Sequence, residues 1–361
     1  MRIAQISPLM ESVPPTLYGG TERIVSYLTE ELVRQGHEVT LFASGGSRTA
    51  AELVASAPRP LRLSRVRDPA PYNVLQLEHV RQRLDEFDVL HFHTDYMHFP
   101  MLRDLAAVAV TTMHGRLDFP ELAPLFHEFH RTPLVSISAH QRRPLRANFV
   151  ATVPHGLPRD LYALSREASG GYLAFLGRIS PEKGPTTAIE IARRAGMKLK
   201  IAAKVDMADQ EYFKEMVRPL LNQSHVEFIG EIGEDQKGAF LGQAKALLFP
   251  IDWPEPFGLV MIEAMACGTP VIAHRRGSVP EIIEHGVSGF IVDSLEEAVA
   301  AAGAIDGLDR AAVRRCFEAR FTAEIMARSY VRLYERLARL QTTGARGAAA
   351  PASQDFPLLR A

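Results

Sequence analysis

Two glutamates eight positions apart, Glu255 and Glu263, stand in the segment EPFGLVMIEAMACGTPVIAHRRGSVPE, residues 255–281. A carboxylate offers two acceptor oxygens, which suits it to the vicinal hydroxyls of a sugar or a ribose. Between them the sequence predicts a helix starting near Phe257 or Gly258. The first amides of a helix have no partner within it, so they attract an anionic or hydroxyl-rich ligand. Gly258 lets such a ligand come close to the backbone. Glu255 precedes the helix and Glu263 lies on it, roughly 8 Å further along at the helical rise per residue. One diol at each end of a diphosphate bridge would use both: sugar hydroxyls at Glu255, ribose hydroxyls at Glu263. The competing reading is a capped helix whose glutamates are merely solvated. Glu263 stands among Val260, Met261, Ile262 and Ala264, which argues against full exposure.

A diphosphate needs cations. GRISPEKG, residues 177–184, places Arg178 and Lys183 on a loop between a strand and a helix, where two positive charges would neutralise a departing diphosphate. The competing reading of this motif is a surface loop with two ordinary charges. YGGTER, residues 18–23, offers Gly19 and Gly20, whose amides are able to face an oxyanion, and Thr21 as a helix cap. It is not a G-x-G-x-x-G fingerprint, and the chain has no Walker A sequence. Lys204, ending IAAKVD's strand, either reaches the same ligand or is an ordinary charged strand end. Among the histidines, His91 and His93 have the spacing of two ligands on one strand face. HExxH, CxxC and D-x-D are all missing, so His91, His93 and His98 read as hydrogen-bonded strand-end residues, and no metal is expected.

The elements that must hold these residues alternate between strand and helix, the pattern of parallel sheets with crossover helices. Strand signals fall at 2–7, 39–44, 88–94, 107–113, 133–138 and 151–156, and a helix with apolar positions at Ile24, Val25, Leu28, Leu32 and Val33 ends at Gly36. After the polar stretch SREASGG the pattern restarts, with strands at 172–177, 199–205, 226–230, 245–251, 269–274 and 289–293 and a helix over 185–194. The expected division is a first domain over 1–165 and a second over 166–320. A final helix over 321–340 and a disordered tail over 341–361 follow. Two doubly wound domains in tandem leave a cleft between the carboxyl ends of their strands. The stretches 68–80 and 116–130 read as loops.

Composition narrows the function classes. The chain has 361 residues, 47 % hydrophobic, enough for two cores. Lys and Arg total 41 against 42 Asp and Glu, a balance unlike that of a nucleic-acid binder. Two cysteines imply no disulfide framework, and no apolar run approaches the roughly 18 residues of a membrane span. The expectation is a cytoplasmic protein. The cluster Arg142, Arg143 and Arg146 reads first as a solvated face and leaves peripheral membrane contact open. No oligomeric state is specified.

The segment around the two glutamates resembles the E-x7-E signature of family 4 glycosyltransferases, retaining enzymes of the GT-B fold. Glu255-Pro256-Phe257-Gly258-Leu259, Glu263-Ala264, Gly268, Pro270 and Val271 match it, and the likeness covers residues 1–340. The resemblance implies a nucleotide-sugar donor as co-substrate, with no cofactor, and an acceptor of unassigned chemistry. It implies that Glu255 contacts the donor sugar and Glu263 the ribose. The backbone at Phe257, Gly258 and Leu259 would approach the sugar, and Arg178 and Lys183 would hold the diphosphate. It implies that the loop at Gly19 and Gly20 nears the phosphates, that His114 touches the donor sugar, and that the final helix crosses back to the first domain. His155 departs from the family's usual Asn-Gly, which concerns the hinge. On family frequency UDP-glucose is the first expected donor and GDP-mannose the second. A GT-B sugar-nucleotide epimerase or a silent nucleotide-sugar-binding protein would share these features. A solute-binding protein would need a secretion signal, and a dinucleotide oxidoreductase the missing glycine fingerprint.

Overall fold

Short apolar runs such as VLHF and ALLF are buried along their whole length, the mark of strands covered on both faces. The computed structural model describes residues 1–344 apart from Tyr18, Leu63, Arg65 and residues 104–107. Its first sheet contains β1 (Arg2–Ile6), β2 (Glu38–Ser44), β3 (Glu52–Ala57), β4 (Val89–Phe92), β5 (Val108–Thr112), β6 (Leu134–Ser136) and β7 (Phe149–Thr152). The second contains β8 (Tyr172–Arg178), β9 (Lys198–Lys204), β10 (Val226–Gly230), β11 (Ala246–Phe249), β12 (Val271–His274) and β13 (Gly289–Val292). The orders are β3-β2-β1-β4-β5-β6-β7 and β10-β9-β8-β11-β12-β13. The strand order therefore reverses beside β1 in one sheet and beside β8 in the other, and ligands of such sheets bind at the carboxyl ends of those strands.

A buried apolar cluster joins the two halves, running from Ile3 and Ile24 through Leu157 to Phe257, Met261 and Phe317. The last helix, Ala323–Gly344, lies against the first sheet. It buries Tyr330 and Tyr334 completely. Their hydroxyls are hydrogen-bonded to Thr112 Oγ1 (2.9 Å) and His91 Nδ1 (2.7 Å). Leu157 N donates to Phe321 O at 2.9 Å and Ala323 N to Leu157 O at 2.8 Å, so the chain recrosses between domains along a short backbone bridge. No helix among the described residues is long and apolar enough to cross a membrane. Arg142, Arg143 and Arg146 are exposed.

Several sequence expectations need correction. Residues 68–80 are largely helical, within Ala70–Gln82, and 116–130 hold the short helix Leu122–Glu128 between loop residues. The strand expected at 151–156 is β7, displaced toward the N-terminus, so His155 and Gly156 lie in the loop beyond it. The first helix begins at Gly20 behind an N-cap at Gly19 that has no side-chain cap, so Thr21 sits inside the first turn and caps nothing. The final helix continues to Gly344, past the expected start of the tail, because helical hydrogen bonding outlasts the apolar stripe. The rest of that tail, 345–361, lies outside the described residues.

Candidate active site

Glu255 is set by the loop that leaves β11. Its backbone N donates to Trp253 O at 2.9 Å, and its carbonyl accepts from Ser278 N at 3.0 Å. Gly277, at φ 55°, lies so close that a Cβ there would sit 2.3 Å from the Glu255 backbone N and O. Only glycine combines that conformation with that approach. Lys183 comes from the 3-10 turn Pro181–Lys183 that follows β8, and Asp252 N donates to Glu182 O at 2.9 Å, tying this turn to the Glu255 loop. The result is an ion pair of Lys183 Nζ with Glu255 Oε2. Trp253 Nε1 donates to the same oxygen at 3.1 Å, and the lysine nitrogen lies 4.6 Å from the Trp253 ring centroid. Glu255 is only 7 % exposed. A buried carboxylate needs such partners to stay charged. Oε1 accepts no hydrogen bond among the described residues.

The helix Leu259–Ala266 starts behind Gly258, which is left-handed at φ 80°. A Cβ at Gly258 would meet Met261 Cε at 2.8 Å and the Phe249 ring at 3.1 Å. Only the steps from Leu259 onward are helical, so the uniform 1.5 Å rise assumed between the glutamates holds for the second half of their separation alone. Glu263 is 4 % exposed. Its Oε1 accepts from Lys237 Nζ at 2.7 Å, and Lys237 also lies 3.3 Å from Glu234 Oε2. Glu234 is paired in turn with Arg23 of the first domain and hydrogen-bonded by the Tyr162 hydroxyl. Charges thus alternate from Glu263 across to the helix that begins at Gly20.

Arg178 and Lys204 also line the cleft. Arg178 is held by Glu182 at 2.5 Å, with Asp209 at 3.7 Å and Asp206 at 3.9 Å, and Lys204 pairs with Asp206 at 2.8 Å. Gly19 and Gly20 face the same space, as do Phe257, Gly258 and Leu259. The cavity measures about 490 Å³.

The first domain contributes histidines. His114 and His155 line the cleft with rings stacked at 5.2 Å. His93 Nδ1 lies 2.8 Å from His114 Nε2, and His93 Nε2 lies 2.8 Å from Gln5 Oε1. Burial pushes His114 down to about 3 and holds His91, His93 and His155 well below the usual histidine range, so all four are neutral. His98 is likewise pushed down to about 3 and bonds Thr111 Oγ1 at 2.7 Å. Among the described residues no group of three His, Cys, Asp or Glu side chains is placed to hold a metal ion.

The two domains meet around this space. Ser138 Oγ donates to Pro256 O at 2.7 Å. The backbone amides of Ala139 and His140 each donate to the Glu281 carboxylate at 2.7 Å. Arg116 lies 5.6 Å from the Trp253 ring centroid. Lys237, Glu234, Arg23, Glu281 and Trp253 escaped the sequence reading. The only signal was that Trp253 is the chain's single tryptophan and stands two residues before Glu255.

Two doubly wound domains facing one another across such a cleft make up the GT-B fold. The chain belongs to glycosyltransferase family 4. Residues 165–310 match the family model described as glycosyl transferases group 1, and residues 18–161 match glycosyltransferase family 4. A phosphatidyl-myo-inositol mannosyltransferase of Mycobacterium leprae is 25 % identical over 380 residues, 94 % of this chain and 97 % of that one. The crystal structure of AviGT4, a glycosyltransferase involved in avilamycin A biosynthesis, superposes with a TM-score of 0.71 at 26 % identity, covering 94 % of this chain and 98 % of that chain. Anabaena HepE, solved in complex with UDP-glucose, shares the fold with a TM-score of 0.70 at 19 % identity, over 93 % of this chain and all (100 %) of that one.

Proposed function

We propose that the protein is a retaining hexosyltransferase that moves a sugar from a nucleotide-sugar donor to an acceptor hydroxyl. The observation that carries this reading is the pair of buried carboxylates, Glu255 and Glu263, each neutralised by one lysine at one oxygen on the wall of a single cleft. Glu255 takes hydroxyls of the transferred sugar, and Glu263 takes the ribose diol in place of part of its bond to Lys237. Lys183 and Arg178, with the amides at Gly19 and Gly20, take the diphosphate. The backbone at Phe257, Gly258 and Leu259 and the ring of His114 close around the sugar, and Lys204 lies at the edge of the donor site.

In the reaction the bond from the anomeric carbon to the diphosphate oxygen breaks as the acceptor oxygen forms its bond on the same face. The acceptor's proton passes to the leaving diphosphate, whose growing charge Lys183 meets. No side chain serves as a nucleophile and no metal is required. Packing between the domains excludes water, which would otherwise hydrolyse the donor.

UDP-glucose and GDP-mannose are the donors to test first. The former is bound by a neighbour of the same fold, and the latter is suggested by the mannosyltransferase likeness along nearly the whole chain. Thermal stabilisation against UDP-, GDP- and ADP-sugars, with NAD as control, should give a shift for one nucleotide sugar. Incubation of that donor with acceptor candidates should release the nucleoside diphosphate and a glycoside that keeps the donor's anomeric configuration. No shift with any donor overturns the reading, as does isomerisation of the donor without an acceptor.

A further inference from the structure

Resting on the transferase reading, one part of the first domain has a role that the donor contacts do not explain. His114 closes one end of a buried hydrogen-bond chain. Gln5 comes from β1, His93 from the residue after β4, and His114 from two residues past β5, three strands that are neighbours in the sheet. Gln5 is fully buried and His93 is 2 % exposed. Gln5 turns its Nε2 toward the Tyr334 hydroxyl at 3.4 Å, so its Oε1 faces His93 Nε2. An amide oxygen only accepts, so His93 carries its proton on Nε2 and leaves Nδ1 as an acceptor. His114 therefore donates from Nε2, and its own Nδ1 bears a bare lone pair. That Nδ1 is enclosed and has no hydrogen-bond partner among the described residues. His114 is neutral, so its tautomer decides which polar group it presents. A shut-in acceptor without a partner is costly, and a hydroxyl entering the cleft would relieve that cost.

We propose that His93 is a positioning residue for transfer: with Gln5 it locks His114 as the Nε2–H tautomer, so that Nδ1 accepts a hydrogen bond from a hydroxyl of the transferred sugar. Tyr334 sits on the same network, hydrogen-bonded to His91 Nδ1 at 2.7 Å, which anchors the amide orientation to the helix returning from the second domain. The chain thus gives the crossing helix a direct hold on the polarity of one cleft wall.

Long-range proton–nitrogen NMR of histidine-labelled protein, with His114 assigned through His114→Gln, reads the tautomer directly. The expected result is a neutral ring protonated on Nε2; a proton on Nδ1 overturns the proposal. His93→Gln retains a side-chain oxygen to accept from His114, and His93→Phe does not. His93→Phe should lower kcat roughly tenfold, the scale of one lost hydrogen bond. It should leave the affinity for free nucleoside diphosphate unchanged, because that ligand lacks the transferred sugar. His93→Gln should recover most of the loss. A His93→Phe enzyme with unchanged kcat overturns the proposal, as does one whose loss lies wholly in nucleoside diphosphate affinity. Where His93→Phe does not fold, the wild-type tautomer decides alone. A wild-type protein that binds no nucleotide sugar removes the transferase reading and leaves the tautomer as measured.

Discussion

The two walls of the cleft hold their polar groups by opposite means. The second domain uses charge: Glu255 with Lys183, Glu263 with Lys237, Arg178 among Glu182, Asp206 and Asp209. The first domain, beside its charged Arg23, adds a neutral set: Gln5, His93 and His114 joined by hydrogen bonds, with His155 stacked alongside. A buried ion pair keeps a formal charge ready at low dielectric, where a leaving group's new charge is worth most. A neutral chain orients without attracting counter-ions. On the proposed transferase reading the contrast divides the labour, with charge handled where the diphosphate would depart and direction where the sugar would be held.

The largest effect that would break this contrast is at Lys183. Lys183→Ala should reduce kcat by roughly a hundredfold to a thousandfold, as expected for removal of a preorganised group that meets developing charge. Steady-state kinetics checks it, with circular dichroism to confirm the fold. A loss of only a few fold would mean that the charged wall does not serve the leaving group. Next in size is Glu263→Ala. Loss of a charge-assisted contact to ribose should weaken free nucleoside diphosphate roughly tenfold. Calorimetric titration measures this, and unchanged affinity would detach Glu263 from the nucleotide.

The last test, read as stability and not as activity, addresses the neutral wall. His91, His93, His98, His114 and His155 all have folded values below the ordinary 6.5. Below that pH the unfolded chain binds more protons than the folded one, so their contribution is complete above it and is lost progressively as pH falls toward the folded values. Each unmatched proton is worth ~1.4 kcal/mol per pH unit. Glu11, Glu22 and Asp95, raised by burial, oppose this at the acid end. The melting temperature should therefore fall between pH 7 and pH 5.5. A flat profile there would mean that the rings are not held neutral.

What the sequence made legible followed from local chemistry. Glu255, Gly258, Arg178 and Lys183 stand at junctions marked by glycine and proline, where backbone and side-chain signals coincide. Lys237 did not stand out, because it meets Glu263 from 26 residues away and its own segment is of ordinary composition. The helix Ala70–Gln82 passed for a loop because its buried positions are one glutamine and one valine, Gln76 and Val80, which draw no apolar stripe. β3 was overlooked because none of its first four positions is buried: half-covered Leu53 and Val54 stand between exposed Glu52 and Ala55, with no alternation to read. The chain from Gln5 to His114 becomes visible only once β1, β4 and β5 are known to be neighbours. Spacing along the chain carries no trace of it.

Glu281 grips the first domain by the amides of Ala139 and His140, not by their side chains. Every amino acid except proline supplies that amide. The side chains at these two positions are therefore free to drift over evolutionary time, and a lineage is able to change the surface here without rebuilding the joint that brings the domains together.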